Sequence, residues 1–312
     1  MLNFLQSRDQ FLILTHKRPD GDTLGSAAGL CAGLRCLGKT AYVARNPETT
    51  LRYLPYVEPL FPPEGFTAQT VVTVDVAAPE LIPKIWQALQ IDARIDHHLT
   101  RETFAPVSYV DEGAAACGEI ILELLQALKV PLTKELAAPL YLAITTDTGC
   151  FRYSSTTAKT HAAAAALFGT GFSAGQIDEM VFSCKSHAQV AVESAVLQDM
   201  EFLSDGRIAI GTLSLERIQK AGAAEDDLEM VSSLPRLIRG VAAGVTIRQE
   251  KVGCKLSVRT MAPYDANLIC AQMGGGGHAR AAGCRTPDAD MAEARRMVLD
   301  ALEACYPGEF EL

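Results

Sequence analysis

Short apolar runs alternate with helix-like stretches through the first half of the chain. FLILT at 11–15 has the length of a buried strand and runs into the polar loop HKRPDGD. TLGSAAGLCAGLRCL, from Thr23 to Leu37, reads as a helix rich in small residues, stopped by Gly38. Ala41–Ala44 reads as a second strand and TVVTVDV (70–76) as the clearest one, after which Pro79 opens a helix reaching about Gln90. ARID (93–96) is a further short strand. CGEIILELLQALKV and LTKELAAPLYLAITT are two helical patterns parted by Pro131. Strands alternating with helices predict an α/β fold: a mainly parallel sheet flanked by helices.

From Thr157 to about Phe202 the pattern is almost wholly helical, and its last part, 187–205, reads as a helical linker. Beyond it the texture changes. RIAIGTLS, VAAGVTIRQ and KVGCKLSVRT read as strands, the last two joined by a tight turn near Glu250–Lys251. One helix (225–239) lies between the first two, and another (288–305) closes the chain. The expected organisation is a domain over 1–186, the linker, and a smaller α+β domain over 206–312.

A length of 312 residues agrees with two domains, and 48% apolar with 21% charged residues is an ordinary globular composition. No run approaches the 18 or more apolar residues of a membrane span, and the N-terminus lacks the pattern of a secretory signal. Nine scattered cysteines with no C-x-x-C pair read as reduced thiols, so the expected setting is the cytoplasm. The net charge is −9, yet residues 231–285 hold eight cations against Glu250 and Asp265. A basic island in an acidic chain suits a phosphorylated ligand better than long duplex DNA, which the rest of the surface would repel.

Four segments of the first domain collect ligands of the kind metals take: His16, Asp20 and Asp22 after the first strand; Asp75 at the end of TVVTVDV; Asp96-His97-His98 after ARI; and Asp147 after an apolar helix. In an open α/β sheet the loops beyond the carboxyl ends of the strands converge on one edge, where ligands bind. Carboxylates gathered there repel one another unless a cation neutralises them. Oxygen and imidazole donors without thiolate suit manganese, with magnesium or cobalt next. Four aspartates and two or three histidines exceed the ligands of one ion, whereas two ions sharing a carboxylate account for them, the arrangement that serves in-line phosphoryl displacement. Taken singly, each segment also has a bland reading: DGD as a helix N-cap, DTG as a C-cap, the histidines as surface residues. The glycine run at 274–277 is neither a Walker A loop nor a dinucleotide fingerprint; with no Cβ it lets backbone amides approach an anion closely.

These motifs resemble the DHH phosphoesterase superfamily. The resemblance rests on HxxxDGDxxGS (His16 to Ser26), the VDV aspartate, Asp96-His97-His98, TDTGCFRYSST (146–156), and a glycine-rich Gly274–Gly283 segment similar to the accessory DHHA1 domain. LPRLIRGV (234–241) and KLSVRT (255–260) also look like that domain, and the two-domain length is similar to the nanoRNase/pAp phosphatase, NrnA-like branch. The resemblance implies two Mn2+ ions, one held by His16, Asp20 and Asp75, the other by Asp22, Asp75, His97 and Asp147, with a hydroxide between them as nucleophile. It implies that Asp96 orients an imidazole and that His98 contacts the phosphate or assists the leaving group. In the second domain it implies phosphate contacts from Arg259 and His278, close approach at Gly275, Gly276 and Gly277, and further contacts from Arg236, Arg239 and Arg280.

The expected activity is hydrolysis of short single-stranded RNA or DNA oligonucleotides of about two to five nucleotides to nucleoside 5′-monophosphates, and of 3′-phosphoadenosine 5′-phosphate (pAp) to AMP. In that picture the two domains close on a short ligand, no membrane is involved, and the helical 157–202 region could support a homodimer. The rivals are a phosphodiesterase of cyclic dinucleotides or linear pApA, an inorganic pyrophosphatase, against which the GGGGH segment argues, and a non-catalytic nucleotide or RNA sensor.

Overall fold

The computed structural model describes residues 1–98, 103–228 and 230–311. The chain divides into two compact units, Met1–Cys184 and Lys185–Leu312. In the first, helices α1 (Leu2–Ser7), α2 (Gly21–Cys36), α3 (Leu54–Val57), α4 (Cys117–Ala127), α5 (Lys134–Asp147), α6 (Ala158–Phe168) and α7 (Ala174–Asp178) surround five strands. These are β1 (Phe11–Leu14), β2 (Ala41–Val43), β3 (Thr70–Val74), β4 (Ala93–Asp96) and β5 (Val107–Val110), all parallel, in the order β2-β1-β3-β4-β5. The topology reverses direction between β1 and β3, which makes the carboxyl ends of those two strands the natural place for a ligand.

One face of the sheet (Phe11, Ile13, Val72, Val74, Ala93, Ile95) shares a core with α2, α4 and α5. The other (Leu12, Leu14, Val71) is covered by Ile82, Ile91 and Ala105, with Trp86 and Phe104 at its margin. The small residues of α2 let it lie directly on α5: a Cβ at Gly25 would stand 2.3 Å from the Pro139 carbonyl oxygen and 2.8 Å from the Ala143 nitrogen. That close approach brings the start of α2 against the end of α5.

Three expected helices come out differently. Over 79–90 only one 3₁₀ turn forms, Pro79–Leu81, because Ile82 precedes Pro83 and takes an extended conformation (ψ 137°) that ends the coil. The 157–202 stretch breaks at Gly169–Ser173, passes through a π turn at Glu179–Ser183, and gives up its last residues to a strand. The 225–239 segment forms three 3₁₀ turns, Glu225–Leu228, Met230–Ser233 and Pro235–Leu237, lying so close to the sheet that a Cβ at Gly244 would be 2.6 Å from the Arg236 nitrogen.

The second unit contains α8 (His187–Gln198), β6 (Glu201–Leu203), β7 (Ile208–Leu213), α9 (Leu215–Ala221), β8 (Ala243–Gln249), β9 (Cys254–Thr260), α10 (Ala266–Ala271), β10 (Gly276–His278), β11 (Ala281–Thr286) and α11 (Met291–Cys305). Its mixed sheet runs β10-β11-β9-β8-β7-β6, parallel only between β7 and β8. α11 packs Ala294, Val298, Ala301 and Leu302 into the core beneath Val245, Ile247, Leu256 and Val258. The segment expected as a linker is helical at α8, whose Val192 and Val196 pack with Leu213, Ile218 and Val231 of this unit. No helix among the described residues is long and apolar enough to cross a membrane.

Candidate metal centre

The loops after β1, β3 and β4 and the facing ends of α2 and α5 carry their polar side chains to one place. Asp20 is the N-cap of α2, its Oδ1 accepting from the Asp22 and Thr23 amides at 3.1 Å. Asp22, one residue into the helix and 1% exposed, accepts from Ser26 Oγ (2.9 Å) and from the Cys117 and Gly118 amides at the start of α4 (2.7 and 3.0 Å). A helix N-terminus therefore helps to hold its charge.

Asp75 follows β3 with φ +56°, a left-handed conformation uncommon outside glycine but one that aspartate adopts more readily than most side chains, and is 3% exposed. Its Oδ2 lies 3.6 Å from His16 Nε2 and its Oδ1 3.4 Å from His97 Nε2. His97 Nε2 is also 3.7 Å from Asp22 Oδ2 and 3.5 Å from Asp147 Oδ2, while His16 Nε2 is 3.6 Å from Asp20 Oδ1. His16 and His97 have their other nitrogen committed, Nδ1 of His16 facing the Lys17 carbonyl at 2.8 Å and that of His97 the Ala114 carbonyl at 3.2 Å, whereas His98 turns Nδ1 itself inward, 2.8 Å from Asp96 Oδ1 and 3.3 Å from Asp75 Oδ1. A ring whose Nδ1–H donates to a carbonyl presents the Nε2 lone pair, the tautomer a metal requires.

The separations between the Nε2 atoms and the carboxylates are too long for hydrogen bonds. Two donors each about 2.1 Å from one ion, and set about 90–110° apart, stand roughly 3.0–3.5 Å from each other. Separations of 3.4–3.7 Å are thus close to those across a coordination polyhedron. Three sets have donor atoms all within 4.8 Å of one another: His16, Asp20 and Asp75; Asp22, His97 and Asp147; and Asp75, His97 and His98. Buried Asp75 Oδ1 has no hydrogen-bond partner among the described residues. A buried acceptor left without a donor is costly, and a cation in this ring relieves it. The residues present fit a metal.

The electrostatics agree. Burial alone would lower His97 and His98, but Asp75 with Asp22 and Asp147 pushes His97 up to about 11, and Asp75 with Asp96 pushes His98 up to about 10. Burial raises Asp22, and repulsion from Asp75 and Asp147 adds to it. Burial also pushes Asp147 up to about 7, with Asp75 and Asp20 adding to the rise against His97. Asp75 is held well below the usual range, the three imidazoles overcoming its burial. Without a cation the ring holds protons instead: its imidazoles keep theirs more tightly, and Asp22 and Asp147 give theirs up less readily.

Sequence reasoning passed over several residues that shape this site. Arg94, inside β4 and 2% exposed, holds Asp96 Oδ2. Asn46 donates from Nδ2 to Thr15 Oγ1 and the His16 carbonyl (2.9 and 2.8 Å), bracing the loop after β1. A charged residue within an apolar strand was the one available signal for Arg94; Asn46 had none.

In the second unit, His278, Ala281, Arg259 and Gly244 stand directly opposite one another across β10, β11, β9 and β8, so they share one face of the sheet. Arg259 donates to the Val258 carbonyl at 3.2 Å and to Ser232 Oγ at 3.2 Å. Gly275 and Gly277 press against β11, where a Cβ would stand 2.4 Å from that of Cys284 and 2.6 Å from the Ala281 carbonyl oxygen. The Gly275 amide donates to the Cys270 carbonyl and the Gly277 amide to Asn267 Oδ1, both at 2.9 Å. The glycine run is therefore an edge strand in close contact with its neighbour, with Gly276 and His278 exposed. Arg280 donates to the Tyr264 carbonyl, while Arg236 and Arg239 lie in and just after the third 3₁₀ turn.

Residues 10–144 match the family model "DHH family, N-terminal domain", and residues 205–306 match the "DHHA1 domain". The chain is 34% identical over 297 residues to the bifunctional oligoribonuclease and PAP phosphatase NrnA of Thermus thermophilus, covering 93% of this chain and 88% of that one. It is 26% identical to the protein of the same name from Bacillus subtilis, covering 96% of each. Among solved structures, an exopolyphosphatase-related protein from Bacteroides fragilis aligns over 98% of this chain and 95% of its own with a TM-score of 0.86 at 24% identity, a likeness of fold. A parallel sheet with an acid-and-histidine ring at its switch point, followed by the mixed sheet with the glycine edge, places this chain in the DHH family, with a DHHA1 domain as its second unit.

Proposed function

We propose that the chain is a divalent-metal-dependent phosphoesterase. It hydrolyses short single-stranded oligonucleotides to nucleoside 5′-monophosphates and dephosphorylates pAp to AMP. The observation that carries this reading is Asp75, a buried carboxylate whose two oxygens face His16 on one side and His97 on the other. A nucleotide is itself an anion and cannot approach Asp20, Asp22, Asp75 and Asp147 unless their four charges are balanced. Two divalent cations balance them, while Asp96 is answered separately by Arg94. The names of the relatives supply the substrate class.

In this reading His16, Asp20 and Asp75 hold one manganese ion, and Asp22, Asp75, His97 and Asp147 the other. Bound there, the pair supplies Lewis acidity, activating water and neutralising the phosphate oxygens. His98, held through Nδ1 by Asp96, offers Nε2 to a phosphate or leaving-group oxygen. Arg259 and His278 contact phosphate on their shared face, with Arg236, Arg239 and Arg280 around them and the small residues Gly276, Ala281 and Gly283 as a flat floor for the nucleotide. Nine cysteines without a disulfide accord with a cytoplasmic enzyme.

The test is a substrate panel with purified protein and manganese: pApA, longer oligonucleotides, pAp, a cyclic dinucleotide and pyrophosphate. Turnover of pApA and pAp ahead of pyrophosphate is expected. Replacement of residues around a metal's ligands costs about 10–100-fold, and a shared ligand should cost more. Asp75→Asn is therefore expected to lose more than about 100-fold; full activity of this variant would overturn the reading.

A further inference from the structure

We infer that Arg94 is a positioning residue for His98, acting through Asp96. Arg94 and Asp96 stand two residues apart on β4 and so project from the same side of the strand. Both are buried, at 2% and 0% exposed. The guanidinium donates to Asp96 Oδ2 from Nε at 3.2 Å and from Nη2, and lies over the Phe104 ring, 5.1 Å from its centroid. Asp96 Oδ1 accepts from the His97 amide (2.7 Å), the His98 amide (3.1 Å) and His98 Nδ1 (2.8 Å). Both oxygens are thus committed to protein donors, and Asp96 serves as a brace rather than a metal ligand. It fixes the turn that carries both histidines and the tautomer of the second.

Such a brace needs a counter-charge, since a buried carboxylate beside Asp75 without one would turn towards the cations. Arg94 is that counter-charge, and its planar fork fixes the carboxylate plane as a lysine cannot. The inference rests on the hydrolase reading for His98.

The experiment compares Arg94→Gln and Arg94→Lys with wild type in two backgrounds, His98 intact and His98→Ala. With His98 intact, Arg94→Gln is expected to lower kcat for pApA about 10–100-fold. KM should stay within about threefold, manganese affinity should fall less than kcat does, since Asp96 also braces the turn that carries His97, and Arg94→Lys should be intermediate. In the His98→Ala background the same change should cost at most about fivefold of the residual rate, because only the brace on that turn is left to lose. Nitrogen-15 spectra of the magnesium-bound protein give a readout independent of turnover: a single His98 tautomer protonated at Nδ1 in wild type, a mixture in Arg94→Gln. Equal losses in both backgrounds, an unchanged kcat, or an unchanged His98 spectrum overturns the inference. If wild type turns over no nucleotide, the hydrolase reading fails, and the spectra still decide whether Arg94 sets the His98 ring. Should Arg94→Gln not fold, Arg94→Lys carries the same comparison.

Discussion

Metal-free protein holds protons that a bound cation must expel, and this can be counted. His16 is raised well above its ordinary range, because Asp20 and Asp75 outweigh its burial, and His97 is pushed up to about 11. At pH 7 His97 carries a proton on the nitrogen that would face an ion and Asp147, at about 7, carries about half of one, while His16 and Asp22 are both raised and add to the store. Filling both sites should therefore release more than one proton per chain, and the apparent affinity should rise with pH. The metal-free fold has the opposite dependence. A histidine raised in the folded state contributes stability that is present below about pH 6.5 and lost as pH rises through 10–11. Asp147, raised on folding, favours the fold below its ordinary range near 4 and loses that advantage as pH climbs to about 7. The full Asp147 shift corresponds to about 4 kcal/mol. Its side chain is 36% exposed, so screening leaves about 1–2 kcal/mol. The assay is calorimetric manganese titration in two buffers of different ionisation heat, with denaturant melts of metal-free protein from pH 5 to 9. Proton-neutral binding, or metal-free stability that climbs over that range, would refute the proton-holding ring.

Further expectations follow from particular contacts. Gly25→Ala drives a methyl into the backbone of α5 and should cost about 1–3 kcal/mol, with weaker manganese binding because Asp22 and Asp147 are moved apart; an unaltered melt and affinity would contradict this. Arg259→Ala should raise KM for pApA about tenfold while leaving manganese affinity unchanged, since the residue lies in the other unit; an unchanged KM speaks against the phosphate contact. Glu250, brought down to about 2 by Arg285 and then Arg248 against its burial, contributes stability that is present above its ordinary range near 4.3 and lost as pH falls through 2. Arg285 is 39% exposed, so Glu250→Gln should cost about 1–2 kcal/mol at neutral pH and less in acid, read from urea melts at pH 7 and pH 3.

Local pattern determined much of this molecule. FLIL and TVVTV form strands because they are short, rich in β-branched and apolar residues and buried on both faces, and α2 forms where the small residues run. The acids and histidines of four loops were legible as one constellation because an α/β alternation sends post-strand loops to a common edge. Where local signals competed, tertiary context won. Pro83 ended a helix that the pattern favoured, the 225–239 segment flattened against Gly244, and residues 187–198 joined a core instead of spanning a gap. Asp20 has the helix-cap role its local sequence suggests and still faces His16, so the bland reading and the chemical one hold together. What periodicity could not supply was the third dimension of the site: the left-handed Asp75, the α4 amides on Asp22, and Arg94 behind Asp96. A pattern records which residues share a face along one element. Which charge lies behind another is set by packing between elements, and only folding decides it.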